Sequence, residues 1–232
     1  MNSSDKFDLR SNLKRYSVEF LVIFLSITLS FFAENLREDA SNREIEQEAL
    51  LRLSRDVAAD LRAFPGNLDR TVIGLDAIRW LSMQEVGDLP SADSVEHYLE
   101  RYWTCSTTDA SKSEFESLKS SGNLRLLQDS GLASQLAANY ENYDTLEFYH
   151  RKDCDLIAEV ISLISNEITV RSSGFGADIT VSGSLVRIFS NEEFRIALAS
   201  HNGMRMVILR EVRKSIRALT QLSANLPQPD SE

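Results

Sequence analysis

From Phe20 to Ala33 the chain reads FLVIFLSITLSFFA, fourteen residues without a charge. As a helix this run covers about 21 Å, against a hydrocarbon core of about 30 Å, so it needs its flanks to cross a bilayer. Tyr16 suits the interface, Glu19 lies one turn inside and reaches the headgroups, and Asn35 and Leu36 extend the far end. Mild thinning of the bilayer covers the remainder. Residues 16–36 are therefore expected to form a transmembrane anchor preceded by a short N-terminal segment, residues 1–15. Cleavage after Ala33 would put Phe31 where a signal peptidase requires a small side chain, so the anchor is expected to be retained.

Beyond residue 37 the pattern changes to amphipathic helix. Leu50, Leu53, Val57, Leu61, Phe64 and Leu68 recur at three and four, and Val72, Leu75, Ile78 and Leu81 resume after Pro65-Gly66, where a kink or break is expected. Without a loop signal after the anchor, the first helix should project as a stalk before joining the bundle. Asp93 with Glu96, Ser113 with Glu116 and Ser190 with Glu193 have the spacing of helix starts, and Asp129 or Ser130 should cap a long helix. In that helix Leu136, Tyr140, Tyr143, Glu147, His150, Cys154, Ile157, Ile161, Ile164 and Ile168 alternate spacings of four and three. The last helix carries Phe194, Leu198, His201, Met204, Ile208, Val212, Ile216 and Leu219. Within the Ser- and Gly-rich stretch 172–184, Asp178 to Val181 can form one short extended piece. The expected fold is all-α: one transmembrane helix, then an antiparallel bundle of long helices over residues 37–226, with a disordered tail at 227–232.

Charge fixes orientation and excludes partners. Arg10, Lys14 and Arg15 precede the span, whereas Glu34, Glu38 and Asp39 follow it with Arg37 as the one nearby base. The basic end is expected in the cytoplasm and the large domain, in a bacterium, in the periplasm. Four basic and four acidic residues balance through Asn35, so the whole net charge of −10 lies beyond it. Such a domain repels nucleic-acid backbones and anionic surfaces.

The two cysteines, Cys105 and Cys154, have no zinc-type spacing. They can pair in an oxidising compartment or remain two buried thiols. Glu147, His150 and Cys154, joined by His201, are the candidate metal ligands, since Glu-x-x-His is half of a di-metal bundle signature. The competing account is a buried polar layer, with Glu147 hydrogen-bonding His150 or His201, that fixes helix register. Arg210, Arg213, Lys214 and Arg217 form a basic stripe that can pair with Asp56 and Asp60 or dock an acidic partner. Glu19 is an acid within a membrane helix, read either as a snorkelling partner of Arg15 or as a titrating group of an ion-driven assembly. No nucleophile elbow, Walker loop or dinucleotide fingerprint is present in the sequence.

Around Gly122, Leu118, Leu124 and Leu127 can face a core, Gly122 can end a helix in the left-handed conformation, and Ser120, Ser121 and Asn123 can satisfy freed backbone groups. Lys119, Ser120, Ser121 and Asn123, if exposed, would also suit a peptide or anionic ligand. The segment Phe115-Glu-Ser-Leu-Lys-Ser-Ser-Gly-Asn-Leu124, with the membrane run and the acidic entry to the first helix, resembles an uncharacterised bacterial family of short membrane-anchored helical proteins. The similarity runs in order from Tyr16 to Tyr143, and this box is its one specific motif. It implies a single span, long helices and a bacterial membrane location, but no activity. Taken together, a non-catalytic membrane-anchored interaction or scaffold protein is expected, without a cofactor, held to lipid by its anchor and acting on a protein partner or on copies of itself. The alternatives are a metal-binding or redox protein and an accessory subunit of an ion-driven complex.

Overall fold

A computed structural model describes residues 3–105, 107, 110–173 and 176–228, with side chains from residue 16 onward except at 18, 172, 173 and 176. The fold is all-α apart from one small hairpin. Helix α1 spans Ser3–Ser82, α2 Ala92–Tyr102, α3 Ser113–Ser121, α4 Ser130–Ser162, α5 Leu185–Ser190 and α6 Glu192–Asn225. A 3-10 turn, Asn123–Leu126, follows α3, and strands β1, Ile168–Ser173, and β2, Gly176–Val181, lie between α4 and α5. By internal packing the chain divides into residues 1–49 and 50–232.

In the first unit, α1 is long and apolar enough to cross a membrane. Its large apolar side chains from Phe20 to Phe32 are 49–70% exposed. The hydroxyls within the run turn inward: Ser26, Thr28 and Ser30 each donate to the carbonyl four residues back at 2.8 Å. That consumes the only side-chain donors between Phe20 and Ala33, the arrangement an apolar solvent demands.

In the second unit, α4 and α6 run antiparallel: Gln135 meets Asn225, Asn142 meets Ser215 and Asp153 meets His201. One core joins Ala77, Ile78 and Leu81 of α1, Val95 and Leu99 of α2, Ile157 to Ile164 of α4, the hairpin, and Ile188 to Leu198. Nearer the start of α4, Phe115 stacks on Tyr140, which meets Tyr143 edge-on, and Phe64 stacks on Tyr143.

Of the kink or break expected at Pro65-Gly66, the break does not occur: α1 continues through Pro65 as one helix. A proline inside a helix costs about 3 kcal/mol, but Phe64, Asn67 and Thr71 on either side are buried against the bundle. Burying one Phe recovers about 1.5–3 kcal/mol, so packing on both sides holds the helix through the lost hydrogen bond. The heptad also overran. Helix α4 ends at Ser162, and Ile168 enters the core from β1. The single extended piece is in fact half of an antiparallel hairpin, with Ile168 opposite Val181 and Arg171 opposite Asp178. Its outer edge is covered by carboxylates: Glu96 accepts from the Val181 N–H at 2.7 Å and Glu100 from that of Ile179 at 3.3 Å.

The helix starts are displaced by one or two residues. Ser91 caps α2, Asn191 caps α6 by accepting from the Phe194 N–H, and Ser113 is the first helical residue of α3. Asp129 caps α4 as expected, accepting from Gly131 and Leu132. Of the expected disordered tail, 229–232 lie outside the described residues, and Pro227 and Gln228 carry no regular structure.

Candidate functional site

A buried polar cluster lies where α2 ends between α4 and α6. Tyr102 closes α2, Asp153 comes from α4, and His201 and Arg205 sit one turn apart on α6. All four are at most 2% exposed. The Tyr102 hydroxyl lies 2.7 Å from His201 Nδ1, and His201 Nε2 lies 2.6 Å from Asp153 Oδ1. Arg205 donates from Nε to the same oxygen at 2.8 Å and from Nη2 to the Tyr102 and Thr104 carbonyls, both at 3.1 Å. The guanidinium thus caps the C-terminal carbonyls of α2 and neutralises a carboxylate in one stroke. It also stands 5.4 Å from the centre of the Tyr102 ring.

Protonation follows from the partners. Burial pushes the Asp153 carboxyl up, but the His201 hydrogen bond and the Arg205 charge outweigh it and leave the group below its ordinary value. An ionised Asp153 can only accept, so His201 carries its hydrogen on Nε2, and in the neutral ring Nδ1 receives the Tyr102 hydroxyl. Burial drives the Tyr102 phenol well above its usual range, which keeps that hydroxyl a donor. The order Tyr, His, Asp is that of a proton relay, yet its members are sealed from solvent and saturated by one another. Its chemistry is that of a clamp.

A covalent tie lies beside the clamp. Cys105 and Cys154 form a disulfide, their Cα atoms 5.4 Å apart, fixing the segment after α2 to α4 next to Asp153. A second buried carboxylate holds that segment's other end: Asp60 accepts from the Tyr143 hydroxyl at 2.7 Å and from the Ser111 N–H at 2.9 Å. Burial raises its carboxyl above the ordinary value against the pull of those two bonds, and Asp56 adds a like charge.

The proposed metal ligands do not converge. Cys154 is in the disulfide, His201 is held by Tyr102 and Asp153, and Glu147 faces solvent, binding Lys112 Nζ at 2.9 Å and Arg151 at 3.2 Å. His150 is buried, and among the described residues no group of three His, Cys, Asp or Glu is arranged to hold a metal ion. A polar layer exists, but Asp153 fills it in place of Glu147. Strict four-three alternation placed Glu147 and Cys154 on the seam, whereas Leu146 and Asp153, one position earlier, face the core. In α6 likewise, Arg205 occupies the buried position assigned to Met204. The spacing 198, 201, 205, 208, 212 is present in the sequence, with a charged side chain at 205 on a largely apolar stripe.

At the box, Gly122 adopts φ 74° and ends α3, and the Ser120 and Ser121 hydroxyls bond the carbonyls of Ser117 and Leu118. Leu118 and Leu127 are buried and Leu124 partly so, while Asn123 opens the 3-10 turn half-buried and Lys119 is exposed beside Glu116. Glu19 is exposed on α1 immediately before the apolar run.

No protein-family model, curated protein or solved structure matches this chain.

Two of the open grooves on the bundle bear on binding. Between α4 and α6 a polar groove of about 580 Å³ is lined by Gln135, Asn139, Asn142, Tyr149, Lys214 and Gln221 among others. The second, of about 560 Å³, has Leu68, Met206, Leu209 and Ile216 as its floor and Arg210, Arg213 and Arg217 around it. The basic stripe does not pair with Asp56 and Asp60. Arg210 binds Glu211 at 3.0 Å, and Lys214 turns to Asn142 at 3.0 Å and Glu211 at 3.5 Å. Arg217 donates to the Arg213 carbonyl, and neither Arg213 nor Arg217 meets a carboxylate among the described residues.

Proposed function

We propose that this chain is a non-catalytic, membrane-anchored interaction or scaffold protein of the bacterial envelope, with its N-terminus in the cytoplasm and the bundle in the periplasm. One contrast carries the reading: Tyr102, His201 and Asp153 are buried and bonded to one another and to Arg205, while exposed apolar surface gathers on the anchor run and beside α6 arginines that meet no carboxylate among the described residues. Reactive groups need access to substrate, and Tyr102, His201 and Asp153 have none. Surfaces that combine apolar floor and arginine are those that bind proteins. The Cys105–Cys154 pair suits an oxidising compartment beyond the membrane. The resemblance carried by residues 115–124 supports the same placement.

The test is cross-linking in intact native membranes followed by affinity purification of the full chain. A discrete higher-mass adduct in stoichiometric yield is expected. Recovery of the chain alone, un-cross-linked and monomeric after mild detergent extraction, overturns the proposal.

A further inference from the structure

We propose that the arginine-rimmed groove on α6 seats the apolar face of an acidic helix from a partner protein; this rests on the interaction reading above and names the chemistry of what is bound. The floor is apolar, and Met206 is 53% exposed on it. Around it Arg210, Arg213 and Arg217 follow one another at three and four residues, which places their guanidiniums along one side of α6. From Met206 to Arg217 is three turns, about 16 Å, the contact length of a short helix laid alongside. Leu68 of α1 closes the other wall, so the groove lies between two helices, and a third helix is the element that fits such a groove.

Charge selects the occupant. Guanidiniums bind carboxylates in pairs of parallel hydrogen bonds, and among the described residues Arg213 and Arg217 have none of their own. A second copy sets the whole net charge of −10 against itself, whereas a single short helix brings only the few carboxylates that the arginine rim can pair at contact, so the helix is favoured over self-association. The same excess opposes an anionic lipid surface or a nucleic acid. An acidic amphipathic helix meets both conditions, leucine-type side chains for the floor and carboxylates for the rim.

The experiment uses the full-length chain in zwitterionic detergent micelles and a fluorescein-labelled helical peptide of about 18 residues, long enough to cover the groove. Its apolar stripe is Leu, flanked by Glu; a second peptide carries Lys in place of each Glu. Anisotropy should detect binding of the Glu peptide, weakened about tenfold or more in an Arg213→Glu/Arg217→Glu variant. Met206→Glu should weaken it as well. The double variant should in exchange take the Lys peptide, which the unaltered chain refuses. Both arginines are exposed, so the variants should keep the wild-type circular dichroism. Equal affinity of the Glu peptide for wild-type and double variant overturns the assignment, as does its failure to bind or equal binding of the two peptides. If cross-linking in native membranes still yields a discrete adduct after such a failure, only the groove assignment falls; if that adduct is missing too, the interaction reading falls with it.

Discussion

Arg205 occupies the space that a side chain on Gly74 would fill: a Cβ added at Gly74 would stand 1.4 Å from Nη1 and 2.5 Å from Cζ. In an exposed helix, Gly→Ala stabilises by about 1 kcal/mol. Here the sign should reverse. The guanidinium cannot swing aside, because Nε and Nη2 are bound to Asp153 and two carbonyls, and the whole side chain is 1% exposed. Gly74→Ala should therefore cost about 3 kcal/mol, the scale of breaking a buried ion pair. In an Arg205→Met background the same change should cost far less, and chemical denaturation of the four proteins measures the coupling.

Asp153 contributes stability with a defined pH sense. Its folded value lies below the ordinary one, so its contribution is present above about pH 4, the unfolded value, and is lost as pH falls through the folded value. Asp153→Asn should remove about 3–5 kcal/mol at neutral pH, because Arg205 is left charged and buried. It should also remove part of the acid-side loss. Urea midpoints taken from pH 5 down to pH 2.5 test both, and a variant that keeps the wild-type acid slope would assign that slope to other carboxylates.

Asp60 should behave oppositely. Its folded value is raised, so the folded state holds the proton more tightly, and stability falls as pH rises from the unfolded to the folded value. Asp60→Asn keeps a polar group opposite Tyr143 and Ser111 but removes the buried charge beside Asp56. The variant should be as stable as the wild type or more so at pH 7, with a flatter profile just above pH 4. A loss of the size expected for Asp153→Asn would show that Asp60 is favourably ionised in the fold.

How much of this was legible in the sequence depended on what kind of residue marked each feature. The apolar run, the helical periodicities and Gly122 were readable because an apolar stripe or a left-handed turn admits few residue types. The clamp was not, for a physical reason. Asp153 pairs with His201 and Arg205, and Arg205 with Tyr102, across 48 to 103 positions of the chain, and a buried charge is tolerable only beside its partner. Each alone reads as surface, so the neighbouring Cys154 and Met204 were preferred on the seam. The continuity of α1 through Pro65 was hidden for a related reason: proline reports its local cost, while the compensating burial of Phe64 and Asn67 comes from distant helices.

The disulfide links stability to topology. Cys105 and Cys154 are 49 residues apart, and closing a loop of that length restricts the unfolded chain by about 4 kcal/mol in the entropic account. A Cys105→Ser/Cys154→Ser variant should lose stability of about that size without losing helicity, because the Arg205 bonds to the Tyr102 and Thr104 carbonyls and the Ser111 bond to Asp60 still hold the segment. In cells the two thiols should resist alkylation until a reductant is added, and a periplasm-active reporter fused after Glu232 should be active while an N-terminal one is not. Both readings depend on which side of the membrane the bundle folds. Thiols that alkylate freely, together with a reporter active only at the N-terminus, would reverse the orientation deduced from Arg10, Lys14 and Arg15.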